Sequence, residues 1–229
     1  MNQDARPLLR PKLMSFDVFG TLISVRDSSY AAFERILSEA RARHLDVRAF
    51  WEHWEHRNIA HYWDPYRSYR EICELSLAET FAHYGISGDS RLIGCYFDAF
   101  PRFFLYDDVV RTLDLLSRRY RLAVVSNMDD DLLALTPLQR NFDLVCTAQR
   151  ARGYKPDGTL FRYLIENAGC GRDGILHSGQ SQFTDLVGGK PLGLTIAWIN
   201  RRQIELDASV PRPDFVLPDI QSLNRVVEA

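Results

Sequence analysis

Short apolar runs separated by amphipathic stretches occupy two parts of this chain, residues 13–22 and 105–229. The runs are Leu13–Phe16, Leu122–Ser126, Leu144–Cys146, Ile175–Ser178 and Thr195–Ile199, with Phe215–Leu217 as a weaker sixth. Each is bounded by turn or charged residues, and helical patterns lie between several of them. That spacing predicts βαβ units and a parallel sheet with helices on both faces. Between residues 27 and 100 the strand signals vanish. Ala31, Phe33, Ile36 and Leu37 fall on one helical face, as do Ile72, Leu75, Leu77 and Phe81. The chain is therefore expected to be an α/β core, residues 1–26 and 101–229, with a small helical cap, residues 27–100, inserted after the first strand and lying over the C-terminal edge of the sheet.

Composition narrows the class without naming a function. The 229 residues are 46% hydrophobic and 25% charged, ordinary for a globular protein. A formal net charge of −2 gives no electrostatic case for nucleic acid or an anionic membrane as partner. No apolar run approaches the roughly 20 residues of a spanning helix. The stretch Met1–Lys12 is polar, with Arg6, Pro7, Arg10 and Pro11, and lacks a signal-peptide core, so a cytoplasmic address is expected. Cys73, Cys95, Cys146 and Cys170 are widely spaced and read as buried free thiols. The aromatic insert leaves a homodimer open.

Four segments carry candidate chemistry, each at or just after a predicted strand end. They are Asp17 with Gly20-Thr21, Ser126-Asn127, Lys155 within Gly153-Tyr154-Lys155-Pro156-Asp157, and Asp185 closing Ser178-Gly179-Gln180-Ser181-Gln182-Phe183-Thr184-Asp185. Singly, each has a plain structural use: a helix cap for Ser126-Asn127 ahead of Asp129, Asp130 and Asp131, and a surface charge for Lys155 or Asp185. In a doubly wound sheet the strand ends converge on one crevice, where two carboxylates, a hydroxyl and an ammonium would meet around a small anionic ligand. The aromatic-rich stretch 51–70 holds Trp51, Trp54, Tyr62, Trp63, Tyr66 and Tyr69, read as insert core or as a wall of the substrate pocket. His53, His56 and His61 in the same stretch do not share one helical face, which argues against a metal site.

Asp17-Val18-Phe19-Gly20-Thr21, Ser126, Lys155 and Asp185, in this order, resemble the four motifs of the haloacid dehalogenase superfamily. Ser126-Asn127, Tyr154-Lys155-Pro156-Asp157 and Trp198-Ile199-Asn200-Arg201 resemble its L-2-haloacid dehalogenase branch. The resemblance implies the superfamily's Rossmann-like sheet and small cap. It implies Asp17 as covalent nucleophile, Lys155 as its charge-balancing partner and Asp185 as a supporting acid. It places the substrate among Phe19, Thr21, Ser126, Asn127 and Gln180, with Arg57 or Arg67 of the insert standing in for a halide-binding arginine.

Position 19 bears on the chemistry. The superfamily's phosphatases carry a second Asp two residues after the nucleophile, which protonates the leaving alkoxide and is worth about 10² to 10⁴ in rate. Phe19 has no proton to give. Gln180 stands where those enzymes usually have an Asp, so a Mg²⁺ site would retain only Asp17 and Asp185. Expulsion of halide needs no proton and no metal. The resemblance thus implies metal-independent hydrolysis of a small 2-haloacid without a cofactor. A Mg²⁺-dependent phosphatase stays open, as does opening of a small strained-ring amino acid by the same carboxylate. The chain departs from the branch at Phe19, where dehalogenases have Tyr, and at Gln180 and Gln182, where they have Ser and Asn. Their halide-binding arginine directly follows an insert tryptophan; here Glu52 follows Trp51 and Glu55 follows Trp54.

Overall fold

The computed structural model describes residues 8–228; residues 1–7, with Arg6 and Pro7 of the polar N-terminal stretch, lie outside them. The sheet strands are β1 (Leu13–Phe16), β4 (Arg121–Ser126), β5 (Leu144–Thr147), β6 (Ile175–Gly179), β7 (Thr195–Ile199) and β8 (Phe215–Leu217). All six predicted runs are strands of this sheet. Between β1 and β4 lie β2 (Ile23–Ser24), the helices α1 (Val25–Glu39), α2 (Val47–Ala60) and α3 (Tyr69–His83), β3 (Phe104–Leu105) and α4 (Val109–Leu116). Helix α5 (Asp130–Leu135) follows β4, and α6 (Thr159–Asn167) precedes β6.

The strands run parallel in the order β5-β4-β1-β6-β7-β8. β1 sits between two neighbours in matched register, Phe16 opposite Val124 on one side and Ser178 on the other. The chain works outward from β1 through β4 and β5, then crosses back to β6 and moves outward again. Strand order reverses at β1, and a crevice opens beyond its carboxyl end, the place where such sheets bind ligands.

Alternation along the strands covers both faces of the sheet. Leu13, Ala123 and Val125 pack with Leu160, Phe161 and Leu164 of α6. Met14, Phe16 and Leu122 pack with Val109, Leu113 and Leu116 of α4 on the opposite face. Ser15 and His177 interrupt this apolar pattern side by side in register, both fully buried.

A short antiparallel ribbon, Ile23 opposite Leu105 and Ser24 opposite Phe104, brings together the two ends of the helical insert. It has two residues per strand, too short to register as a period in the sequence. β2 feeds directly into α1 at Val25, inside the stretch read as core. The buried stripe of α1 is Ser29, Ala32, Phe33, Ile36 and Leu37. Ala31, expected on that stripe, is exposed, because the spacing from Ile36 and Leu37 back through Phe33 reaches 32 and 29 rather than 31. Aromatic rings fill the insert: Phe33 lies 4.9 Å from Trp54 and 5.6 Å from Tyr96 in tilted and edge-on pairs.

Asp129 does not cap its own helix α5. Its carboxylate instead accepts from the backbone N–H groups of Tyr69 and Arg70, both at 3.1 Å, at the start of α3. Arg70 reaches back to Asp131 at 2.5 Å. A loop of the sheet thus supplies acceptors for orphan donors of an insert helix and holds the insert over the crevice.

Candidate active site

β1 ends at Phe16 and delivers Asp17 to the crevice, 5% exposed. The turn that follows needs Gly20. Its φ is +81°, and a Cβ there would lie 2.7 Å from Cγ of Gln180. Gln180 follows β6 and donates its backbone N–H to Thr21 Oγ1 at 2.9 Å. Thr21 in turn donates to Oδ2 of Asp17 at 2.6 Å. Both roles of the Thr21 hydroxyl are spent inside the protein and the residue is fully buried, so Thr21 orients Asp17 rather than meeting substrate, a correction to its expected place.

Oδ1 of Asp17 is paired with the ammonium of Lys155. Lys155 also contacts Oδ1 of Asp185 at 2.9 Å. His177 Nε2 meets the same oxygen at 3.2 Å, and His177 Nδ1 meets Ser15 Oγ at 2.9 Å. Nε2–H is placed to donate to Asp185, and the Ser15 hydroxyl lies within hydrogen-bond reach of Nδ1. The backbone N–H of Ser181 donates to the remaining Asp185 oxygen at 3.0 Å. Asp185 is fully buried and does not line the cavity; its side chain meets Lys155, His177 and the Ser181 N–H. The sequence marks His177 only as a polar residue inside an apolar strand run.

Two acids and one ammonium in a water-poor site do not titrate independently. Burial pushes the Asp17 carboxyl above its usual range; Lys155 and Thr21 oppose the rise and Asp185 adds to it. Burial would do the same to Asp185, but Lys155 and His177 outweigh it and hold that carboxyl well below the usual range. Burial would lower the Lys155 ammonium, yet the two carboxylates keep it charged and raise it.

The cavity in front of Asp17 measures about 130 Å³. Phe19, Ser126, Asn127, Met128, Lys155 and Gln180 bound it from the sheet side. Trp51, Trp54, Glu55, Asn58, Ile59 and Tyr62 bound it from the insert. These insert residues follow i, i+3, i+4, i+7, i+8 spacing on α2 and its extension, one helical face. Trp51, Trp54 and Tyr62 are also part of the insert's buried core, so the two readings of the aromatic stretch describe the same side chains. Trp51 belongs to this wall, and its Nε1–H is buried without a hydrogen-bond partner. Phe19 turns its ring edge-on to Phe100 at 5.2 Å and puts carbon alone beside Asp17.

Arg57 and Arg67, expected to bind an anion, do not line the cavity. Arg57 lies off the α2 stripe and donates to Glu79 at 2.6 Å. Arg67 is exposed, with Nη1 3.7 Å from Asp64, and only its backbone carbonyl meets the site's surroundings by accepting from the Tyr154 hydroxyl at 2.8 Å. The charged residue the insert does offer is Glu55. It has no hydrogen-bond or ion-pair partner among the described residues, and burial raises its carboxyl against Arg26 and Arg202. No arginine lines this cavity. Among the described residues, no group of three His, Cys, Asp or Glu side chains is placed to hold a metal ion. His53 stacks on His83 at 4.0 Å, and His61 pairs with Asp64 at 2.8 Å.

A sequence model of haloacid dehalogenase-like hydrolases matches residues 11–193. Haloacetate dehalogenase H-2 of Moraxella sp. (strain B) is 22% identical over 224 residues, spanning 93% of this chain and 96% of that protein. The structure of L-2-haloacid dehalogenase from Xanthobacter autotrophicus with chloropropionic acid covalently bound superimposes with a TM-score of 0.80 at 22% identity, over 94% of this chain and 97% of the other. A HAD-hydrolase, YfnB of Bacillus subtilis, bound to magnesium also superimposes with a TM-score of 0.80, at 17% identity, over 96% of this chain and 99% of the other. The shape is therefore common to relatives named for dehalogenation and to one named with a metal. Among the described residues no helix is long and apolar enough to cross a membrane. The match over most of the chain and the shared sheet and motif order make this protein a member of the haloacid dehalogenase-like hydrolase family.

Proposed function

We propose that the protein hydrolyses a small 2-haloacid, without a metal, through a covalent ester on Asp17. The observation that carries this reading is the Lys155 ammonium between Asp17 and Asp185, with Phe19 rather than an acid two residues beyond the nucleophile. The Lys155 ammonium engages Oδ1 of each carboxylate. Gln180 adds only a neutral carbonyl nearby. Two carboxylates already engaged by an ammonium, with one neutral amide, do not fit Mg²⁺.

In the first step a carboxylate oxygen of Asp17 attacks Cα of the substrate from the side opposite the halogen. The C–O bond forms, the carbon–halogen bond breaks, and halide leaves with the electron pair and no proton. Thr21 and Lys155 fix the carboxylate's direction, which supplies much of the advantage of an intramolecular reaction. Water then attacks the Asp17 carbonyl carbon. Lys155 faces the oxygen on which negative charge develops. Collapse breaks the bond between the Asp17 carbonyl carbon and the substrate oxygen; one water proton passes to that departing oxygen and the other to solvent, which releases a 2-hydroxy acid of inverted configuration and restores Asp17 with one oxygen derived from water. Ser126, Asn127 and Gln180 on the cavity wall carry donors for the substrate carboxylate or the departing halide.

Glu55 favours a second reading. A carboxyl held toward its neutral form can protonate a basic leaving nitrogen, which suits a strained-ring amino acid better than a halide. The test is a panel. Halide release from L-2-chloropropionate that persists in EDTA, and single turnover in ¹⁸O-water that labels Asp17 before product, are expected. Ring opening of azetidine-2-carboxylate without halide release would select the second reading. Robust Mg²⁺-dependent release of phosphate from p-nitrophenyl phosphate would overturn both.

A further inference from the structure

The cavity at Asp17 is small. Its 130 Å³ equals about four waters at their liquid volume, room for the head of a short acid. It does not end there. A second chamber of about 630 Å³ shares Val25, Trp51, Glu55, Ile59, Gln180 and Ser181 with it, so these residues form a throat between the two. The outer volume lies within the roughly 300–1,000 Å³ of ordinary small-molecule sites.

Three large apolar side chains that the fold leaves uncovered converge on this outer chamber. Trp63 follows α2, Phe183 lies in the helical turn after β6, and Ile204 lies in the loop after β7; they are 58%, 52% and 38% exposed. They come from three separate segments, and the chamber they form opens onto the nucleophile's cavity. Its wall is braced. Gln182, buried next to Phe183, donates to the Glu205 carbonyl at 2.8 Å and accepts from the Asp207 N–H at 2.7 Å, which ties down the loop carrying Ile204. The turn that presents Phe183 outward presents Asp185 inward to Lys155, so the outer wall and the Lys155 partner share one turn.

We propose that the outer chamber binds the tail of the substrate, and that the enzyme's substrates are 2-substituted carboxylic acids bearing an alkyl or aryl tail of about four to six carbons. The acid head and reacting carbon occupy the inner cavity, and the tail passes the throat beside Ile59 and Val25 to lie against Trp63, Phe183 and Ile204. This rests on the Asp17 reading above for the position of the head, and adds to it the substrate class.

The test separates the two ideas by measuring binding without turnover. 2-Hydroxy acids of three, six and eight carbons are titrated calorimetrically into the full chain. Burial of apolar tail is expected to tighten Kd by about fourfold per methylene until the chamber is filled. In Phe183→Ala and Trp63→Ala, the ratio of eight-carbon to three-carbon affinity is expected to collapse by about tenfold. A Kd that is flat or weakens with chain length, no binding of the eight-carbon acid, or an unchanged ratio in both variants would overturn the tail site. A parallel halide-release assay on the matching 2-chloro acids tells the failures apart. A chain-length gain in binding with no halide release keeps the chamber and sinks the dehalogenation reading. Halide release from chloropropionate with flat binding does the reverse.

Discussion

The side-chain oxygen of Asn127 accepts a hydrogen bond from the backbone N–H of Lys155 at 2.9 Å, tying the end of β4 to the loop that carries the ammonium. Asn127 lines the cavity as expected, but this bond makes it first a support for Lys155. Asn127→Ala should keep the fold and lower kcat/KM by about tenfold, the scale of one hydrogen bond that positions a charged group. Steady-state kinetics alongside thermal unfolding check this; a large fall in Tm with unchanged kcat/KM would assign Asn127 to stability instead.

Removal of the ammonium leaves two buried carboxylates facing each other. Lys155→Met should abolish turnover and cost the fold about 3–5 kcal/mol at neutral pH, the usual consequence of leaving a buried charge unpaired. One carboxyl then takes up a proton, so the loss should shrink as pH falls toward 4. Chemical denaturation at the two pH values measures it.

Attack requires ionised Asp17, and burial raises its carboxyl with help from Asp185. The acid limb of kcat/KM should therefore lie above the ordinary aspartate value of about 3.9. Asp185→Asn removes a raising charge, so the limb should move to lower pH even as kcat falls from a loosened Lys155. A pH–rate profile in which the limb stays or rises contradicts this assignment.

The two acids should also show opposite linkage to stability. A carboxyl raised on folding contributes stability below its unfolded pKa and loses it as pH rises through the folded value. Asp17→Asn should therefore compare more favourably with the parent protein at pH 7 than at pH 4, while turnover falls by at least about 10³-fold. Asp185, held low, contributes above its unfolded pKa and loses that contribution as pH falls through the folded value. Asp185→Asn should therefore compare worse at pH 5 than at pH 2. Thermal unfolding at pH 4 and 7 decides the first sign, and at pH 2 and 5 the second.

Glu55 separates the two readings of the reaction. Ionised, it opposes the negative charge of a departing halide, so Glu55→Gln should raise kcat/KM for L-2-chloropropionate by up to about tenfold at pH 8 and less at pH 5. If ring opening is the reaction, the same substitution removes the proton donor and turnover falls instead.

Much of the architecture was legible because period-2 and period-3.6 burial patterns are local. Leu13–Phe16 and Thr195–Ile199 match the structure residue for residue. The ribbon Ile23–Ser24 with Phe104–Leu105 was not legible, since two residues carry no period. His177 was hidden by its apolar surroundings, and its partner Ser15 lies 162 residues away. Arg57 and Arg67 illustrate the opposite error: charge type suggested anion binding, while the phase of α2 turned Glu55, not Arg57, into the cavity.

By itself, the sequence determined the chemistry available to this protein: a carboxylate after one strand, an ammonium and a second acid after others, and no acid beside the first. These are matters of residue identity and strand-end spacing. The tertiary structure decided who acts on whom. It engaged Thr21 with Asp17 and Asp185 with Lys155, kept Arg57 and Arg67 off the cavity wall, and set a larger cavity beside the one at Asp17. Those outcomes depend on helix phase and on strands brought together from distant parts of the chain, where each side chain's neighbours, and hence its hydrogen bonds and charge, are set by packing rather than by position in the sequence.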